Sequence, residues 1–173
     1  MRRIRYSVAI SLDGYIAGPN GETDWISTDP EFGFSAIMSE FDTVLVGRRT
    51  WQNMKATGNT LMPDMRTLVA SRTLLQRNEP TVTVIPNPSP VLTALREKPG
   101  KDIWLFGGGT LFRSLAKAGL VDAVEVAVMP VLLGAGIPLL AGPAARVQLT
   151  LTSRTAFRSG IVWLKYDVAD AAI

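Results

Sequence analysis

Three times along this chain a short, continuous apolar run stops at a small residue, and a turn or helix takes over. Thr43–Val46 ends at Gly47, and Arg48 to Met54 follows with a helical pattern. Arg66–Ala70 stops at Ser71-Arg72. Asp102–Phe106 runs into Gly107-Gly108-Gly109, after which Leu111, Phe112, Leu115 and Ala116 share one helical face. Continuous apolar strands need cover on both faces. Strands that alternate with helices therefore imply an α/β chain, with helices on both sides of one sheet.

The rest of the chain fits that grammar. Ile4–Leu12 is a strand-like run closed by the turn Asp13-Gly14. Residues 13–28 read as a long loop, and loops of that length in compact domains are often functional. Asp29-Pro30 reads as a helix cap followed by proline at the first helical position. Phe34, Ile37, Met38 and Phe41 then give one buried helical face. Thr81–Ile85 is a further strand, and Asn87-Pro88-Ser89-Pro90 opens a helix carrying Val91, Leu92 and Leu95. Gly119 fits the left-handed position after a helix, with Leu120 as its apolar contact. Asp122–Met129 is a strand. Leu149–Phe157 and Ile161–Val168 read as a closing antiparallel hairpin, which makes the sheet mixed. The whole of residues 1–173 reads as one domain, with no repeat, linker or low-complexity segment.

Composition narrows the chemistry. The chain has no cysteine and no histidine. Disulfides, thiol nucleophiles, histidine bases and Cys/His metal sites are excluded, and no metal site is expected. The net charge of +3 is spread over scattered arginines, so a nucleic-acid partner is not expected. The apolar run after Met1 is broken by Arg5, Tyr6 and Ser7, unlike a signal peptide. Val124–Leu140 carries Glu125, two prolines and two glycines, unlike a membrane span. A cytoplasmic protein without a membrane partner is expected. Part of Val124–Leu140 is a candidate homodimer face, and a buried internal strand is the other account of it.

The candidate binding chemistry gathers at the strand ends. Three glycines at Gly107–Gly109 let a backbone approach a ligand closely. The helix that begins there offers unpaired N–H groups and a positive dipole end to a phosphate. Gly47-Arg48-Arg49-Thr50 puts two cations in a first turn, against the dipole; alone it reads as a solvated basic turn, and a bound anion would give the cations another reason to be there. Ser71-Arg72 ends a third strand, and ligands of α/β sheets bind beyond the carboxyl ends of strands. The first loop clusters Asp13, Tyr15, Asp24 and Trp25. Asp13 is most simply a turn residue, Trp25 a packing residue, and Glu31 a dipole partner of its helix.

With these residues assembled, the chain resembles the dihydrofolate reductase superfamily, in the branch of the riboflavin biosynthesis reductase (RibD C-terminal) domain. The resemblance rests on Ser11-Leu12-Asp13-Gly14-Tyr15-Ile16-Ala17, Val46–Trp51, Phe106–Leu111, Leu120-Val121-Asp122 and Pro130–Gly134, in that order along nearly the whole chain. It implies a three-layer αβα fold around a mixed sheet, with NADPH as hydride donor. By that resemblance Gly47, Arg48, Arg49, Thr50, Ser71 and Arg72 surround the adenosine 2′-phosphate and pyrophosphate. Gly107, Gly108, Gly109, Thr110 and Leu111 contact the pyrophosphate, and the Gly107–Gly108 bond is expected to be cis. Ala9, Ile10 and Ile16 pack by the nicotinamide. The substrate-side candidates are Asp13, Asp24, Trp25 and Glu31. The implied activity is reduction of a small pteridine- or pyrimidine-like heterocycle, or a carbonyl compound. The alternative from another class is a module that binds NADP(H) without turnover, as a sensor or sequestering protein.

Overall fold

The computed structural model describes residues 1–58 and 65–169. The strands are β1 (Ile4–Ser11), β2 (Tyr15–Ala17), β3 (Phe41–Gly47), β4 (Arg66–Ala70), β5 (Thr83–Ile85), β6 (Asp102–Leu105), β7 (Ala123–Met129), β8 (Ile137–Pro138), β9 (Leu149–Ala156) and β10 (Val162–Val168). The helices are α1 (Phe34–Met38), α2 (Arg48–Ala56), α3 (Pro88–Arg96) and α4 (Gly109–Lys117). Eight strands form one sheet in the order β5-β4-β3-β6-β1-β7-β10-β9, and β2 pairs with β8 in a separate ribbon. All pairings from β5 across to β7 are parallel, while β10 is antiparallel to both β7 and β9.

Side-chain alternation along the strands builds two cores. On one face Ile4, Tyr6, Leu45, Leu68, Ile103 and Leu105 meet Leu92 and Leu95 of α3 and Phe112 and Leu115 of α4. On the other, Val44, Val46, Val69 and Trp104 meet Ile37 of α1 and Trp51 and Met54 of α2. The result is the expected three-layer αβα arrangement with a mixed sheet and a terminal hairpin. The Tyr6 and Phe112 rings stack at 4.0 Å, which fixes α4 over β1. Such a pair adds about 0.5–1.5 kcal/mol beyond its buried area. Burial also raises the Tyr6 hydroxyl well above its ordinary pKa. On the opposite face, buried Trp51 donates from Nε1 to Glu79 at 2.9 Å, and Glu79 also takes Lys55 Nζ at 3.0 Å. Those bonds hold the Glu79 carboxyl below its usual range.

α4 ends as its sequence predicts. Gly119 takes φ +65°, its N–H reaches Ala116 O at 3.0 Å, and Leu120 N–H reaches Leu115 O at 3.0 Å. Three other expectations need correction. The helix expected after Asp29-Pro30 is broken at Gly33, which is left-handed at φ 61°. A 3₁₀ turn (Pro30–Phe32) precedes Gly33, and α1 is only five residues long. Phe41 therefore opens β3, and Phe34 is 54% exposed instead of buried. The loop expected over residues 13–28 contains β2, whose partner lies 120 residues onward. For Val124–Met129 the dimer-face account gives way to the other one, a buried internal strand with β1 on one side and β10 on the other. Among the described residues no helix is long and apolar enough to cross a membrane.

Candidate functional site

A cleft of about 1530 Å³ opens at the carboxyl ends of the parallel strands. That exceeds the roughly 300–1,000 Å³ typical of a single small-ligand pocket, so it has room for a large ligand and a second one. Three helices begin on its rim: α2 at Arg48-Arg49, α3 at Pro88-Ser89 and α4 at Gly109-Thr110. Each helix N-terminus leaves N–H groups without intrahelical partners and carries partial positive charge.

The charged side chains strengthen that field. Arg48, Arg49 and Arg72 line the cleft, against one carboxylate among the described residues, that of Glu22. At the opposite end of the strands the arginines are neutralised. Arg2 pairs with Asp42, Arg3 with Asp167, Arg96 with Asp122, and Arg5 with Glu40, Asp102 and Glu125. Among the described residues none of the three cleft arginines forms a salt bridge. Among the described lining residues, three cations and one carboxylate thus meet where three helix N-termini converge. This arrangement suits a ligand with several phosphates.

The glycine turn is shaped for close approach. Gly107 and Gly108 both have φ +69°, which other residues rarely adopt, and the Thr50 side chain lies beside both. The expected cis bond between them is not found. The described peptide bonds are all trans, and the chain turns here through two successive residues of positive φ. A Cβ at Gly109 would lie 2.6 Å from Pro138 O and 3.0 Å from Leu139 O. The β2–β8 ribbon thus rests directly on the first residue of α4. At the third strand end Ser71 is buried, and its Oγ accepts from Leu74 N–H at 3.0 Å and Thr73 N–H at 3.2 Å, which shapes the turn that presents Arg72.

Of the residues expected around the cofactor, Ala9, Ile16, Gly47, Arg48, Arg49, Thr50, Ser71, Arg72 and Gly107 to Leu111 all line this one cleft. Ile10 does not line it and packs against the core that holds α3 and α4. The four substrate-side candidates are not brought together, and none is in the cleft wall. Asp24 and Glu31 are exposed on the surface. Trp25 is half-buried against Ala127, Met129 and Ile161, and its Nε1 donates to Glu22 O at 3.1 Å. Asp13 accepts backbone N–H groups of Leu133 and Gly134 instead of facing the cleft. Asp29, the cap of the 3₁₀ turn, accepts from Glu31 N–H at 2.7 Å and Ser159 N–H at 3.3 Å. Hydrogen bonding, first from Ser159, keeps the Asp29 carboxyl below its ordinary pKa, so it is ionised and committed to structure.

Several cleft residues escaped the sequence reasoning. Asn87 and Ser89 follow a strand and open a helix, as Gly47-Arg48 and Gly108-Gly109 do, and here the Asn87 side chain caps the helix. Glu22 and Asn20 form a closed turn, with Asn20 N–H donating to Glu22 Oε2 at 2.9 Å. Ile137 and Pro138 enter the wall through β8, which has no local sequence signature.

The comparisons with known proteins bear on this geometry. The family described as RibD C-terminal domain matches residues 2–163. The uncharacterized protein YyaP of Bacillus subtilis is 33% identical over 177 residues, covering 95% of this chain and 94% of that protein. A Shewanella sp. PV-4 crystal structure, assigned by name to riboflavin biosynthesis, superposes with TM-score 0.81 at 26% identity, covering 98% of this chain and all of that one. Dihydrofolate reductase from Enterococcus faecalis, complexed with NADP(H), has the same fold at TM-score 0.71 and 16% identity, with 97% of each chain covered.

Proposed function

The chain belongs to the RibD C-terminal domain family, and from that premise we propose that it is an NADPH-dependent reductase of a small pyrimidine- or pteridine-like substrate. The observation that carries the proposal is the cleft whose three arginines have no carboxylate partner among the described residues and where three helix N-termini converge. NADPH differs from NADH by one phosphate ester, and this charge surplus gives that phosphate a reason to be preferred.

Bound NADPH would supply the hydride. Arg48, Arg49, Ser71 and Arg72 would hold the 2′-phosphate end, with guanidinium groups suited to two-pronged phosphate contact. Gly108, Gly109, Thr110 and Leu111 would present backbone N–H groups to the pyrophosphate. Ala9 and Ile16 would wall the nicotinamide side and keep water from it. Ala9 also packs against the cluster holding Trp25 and Phe32, so the substrate's flat ring would lie on that side of the cleft. Asp13 and Asp29 lie outside the cleft, and Glu22 in its wall is held below its ordinary pKa by hydrogen bonds, first from Asn20, so the proton accompanying hydride transfer would come from water.

The test is loss of nicotinamide absorbance when purified protein and NADPH are mixed with a panel of pyrimidines and pteridines. Oxidation that depends on one of these compounds is expected. Saturable NADPH binding without oxidation across the panel would favour a sensor or sequestering module instead. Neither binding nor oxidation would remove the proposal.

A further inference from the structure

The β2–β8 ribbon pairs only Tyr15 with Pro138 and Ala17 with Ile137. Isolated two-stranded ribbons are marginal even when longer. Yet this one supplies Ile16 and Ile137 to the cleft wall and rests its backbone on Gly109. Something outside the ribbon must hold it in place.

The Asp13 carboxylate sits where that support is needed. Its Oδ2 accepts Gly134 N–H at 2.7 Å and Leu133 N–H at 3.1 Å, and Oδ1 lies 3.2 Å from the same Leu133 nitrogen. These bonds join the turn entering β2 to the loop entering β8, across 120 residues of sequence. Ser11 completes the joint. It is fully buried, and its Oγ accepts Tyr15 N–H at 2.9 Å. Beyond the joint, Leu139 N–H donates to Gly14 O at 3.0 Å. A carboxylate that accepts several backbone N–H groups makes a stronger tie than a neutral acceptor.

We propose that Asp13 is a positioning residue: by clamping Leu133 and Gly134 it sets the β2–β8 ribbon against the start of α4, and so shapes the pyrophosphate and nicotinamide half of the cofactor cleft. This rests on the cofactor assignment above. Asp13 touches neither cofactor nor substrate and acts only through the ribbon. The adenosine end, at the tips of β3 and β4, lies outside its reach.

The test compares two ligands on wild type, D13A and D13N. NADPH spans both halves of the cleft, whereas adenosine 2′,5′-bisphosphate occupies only the adenosine end. D13A is expected to weaken NADPH about tenfold, the scale of losing hydrogen bonds to a charged acceptor. Binding of the bisphosphate should stay within about twofold, and amide exchange at Leu133 and Gly134 should quicken. D13N keeps one oxygen at the Oδ2 position, where both N–H groups converge, and should recover most of the NADPH affinity. Unchanged NADPH binding by D13A would overturn the proposal. So would equal weakening of both ligands, which marks general loss of structure. A wild-type protein that binds neither ligand would instead remove the cofactor assignment, and this inference with it.

Discussion

Gly109→Ala is expected to weaken NADPH binding more than tenfold and to lower the thermal midpoint. The added Cβ would meet Pro138 O at 2.6 Å, Leu139 O at 3.0 Å and Ala141 N at 3.1 Å. All three are backbone atoms, so no side chain can swing aside. Either the ribbon or the start of α4 must move. Overpacking of this kind costs about 1–3 kcal/mol. The strain falls on the contact that joins the ribbon to the glycine turn, so affinity should suffer along with stability. Calorimetric titration and thermal unfolding of the same variant measure the two effects. A variant that binds NADPH as wild type does would show that this contact is not part of the cofactor site.

Removing the cleft's positive side chains should have an effect of similar size but different character. The triple variant R48A/R49A/R72A is expected to lose about a hundredfold in NADPH affinity. Hydrogen bonds to a charged group contribute about 1.5–3 kcal/mol each, and about 1.4 kcal/mol is a factor of ten. NADH should be affected far less, so the two cofactors converge. Stability should change little, because these arginines form no salt bridge among the described residues and Arg48 and Arg49 are exposed. Parallel losses for NADPH and NADH would place the arginines at a phosphate that both cofactors share.

The two ends of the site differ in how far they could be read from sequence. At the phosphate end each signal is local. A strand and a small residue lie within about ten residues of a helix start at Gly47-Arg48 and at Gly107–Gly109, and of a turn at Ser71-Arg72. The parallel sheet then brings all three to one edge, because each strand runs the same way. Asn87 carried the same local signal but lay outside the quoted family motifs.

The substrate end depends on contacts between distant segments. Asp13 beside Gly14 reads as a turn residue in sequence. Its work is done on Leu133 and Gly134, which no spacing rule connects to it. Likewise Asp29 holds Ser159, across 130 residues. Of the candidate carboxylates, Asp13 is consumed by tertiary hydrogen bonds, whereas Asp24 and Glu31 lie exposed outside the cleft. The α1 error has a different cause. Phe34, Ile37, Met38 and Phe41 keep helical spacing, but Gly33 ends the first turn in a left-handed conformation and leaves too short a helix to continue to Phe41.

The central claim is that this cleft binds NADPH through its 2′-phosphate. The most direct test is calorimetric titration of the wild-type protein with NADPH and, separately, with NADH. Saturable NADPH binding with NADH at least about tenfold weaker is the expected result, since one phosphate contact to arginine is of that order. Equal affinity for the two cofactors, or no binding of either, would contradict it.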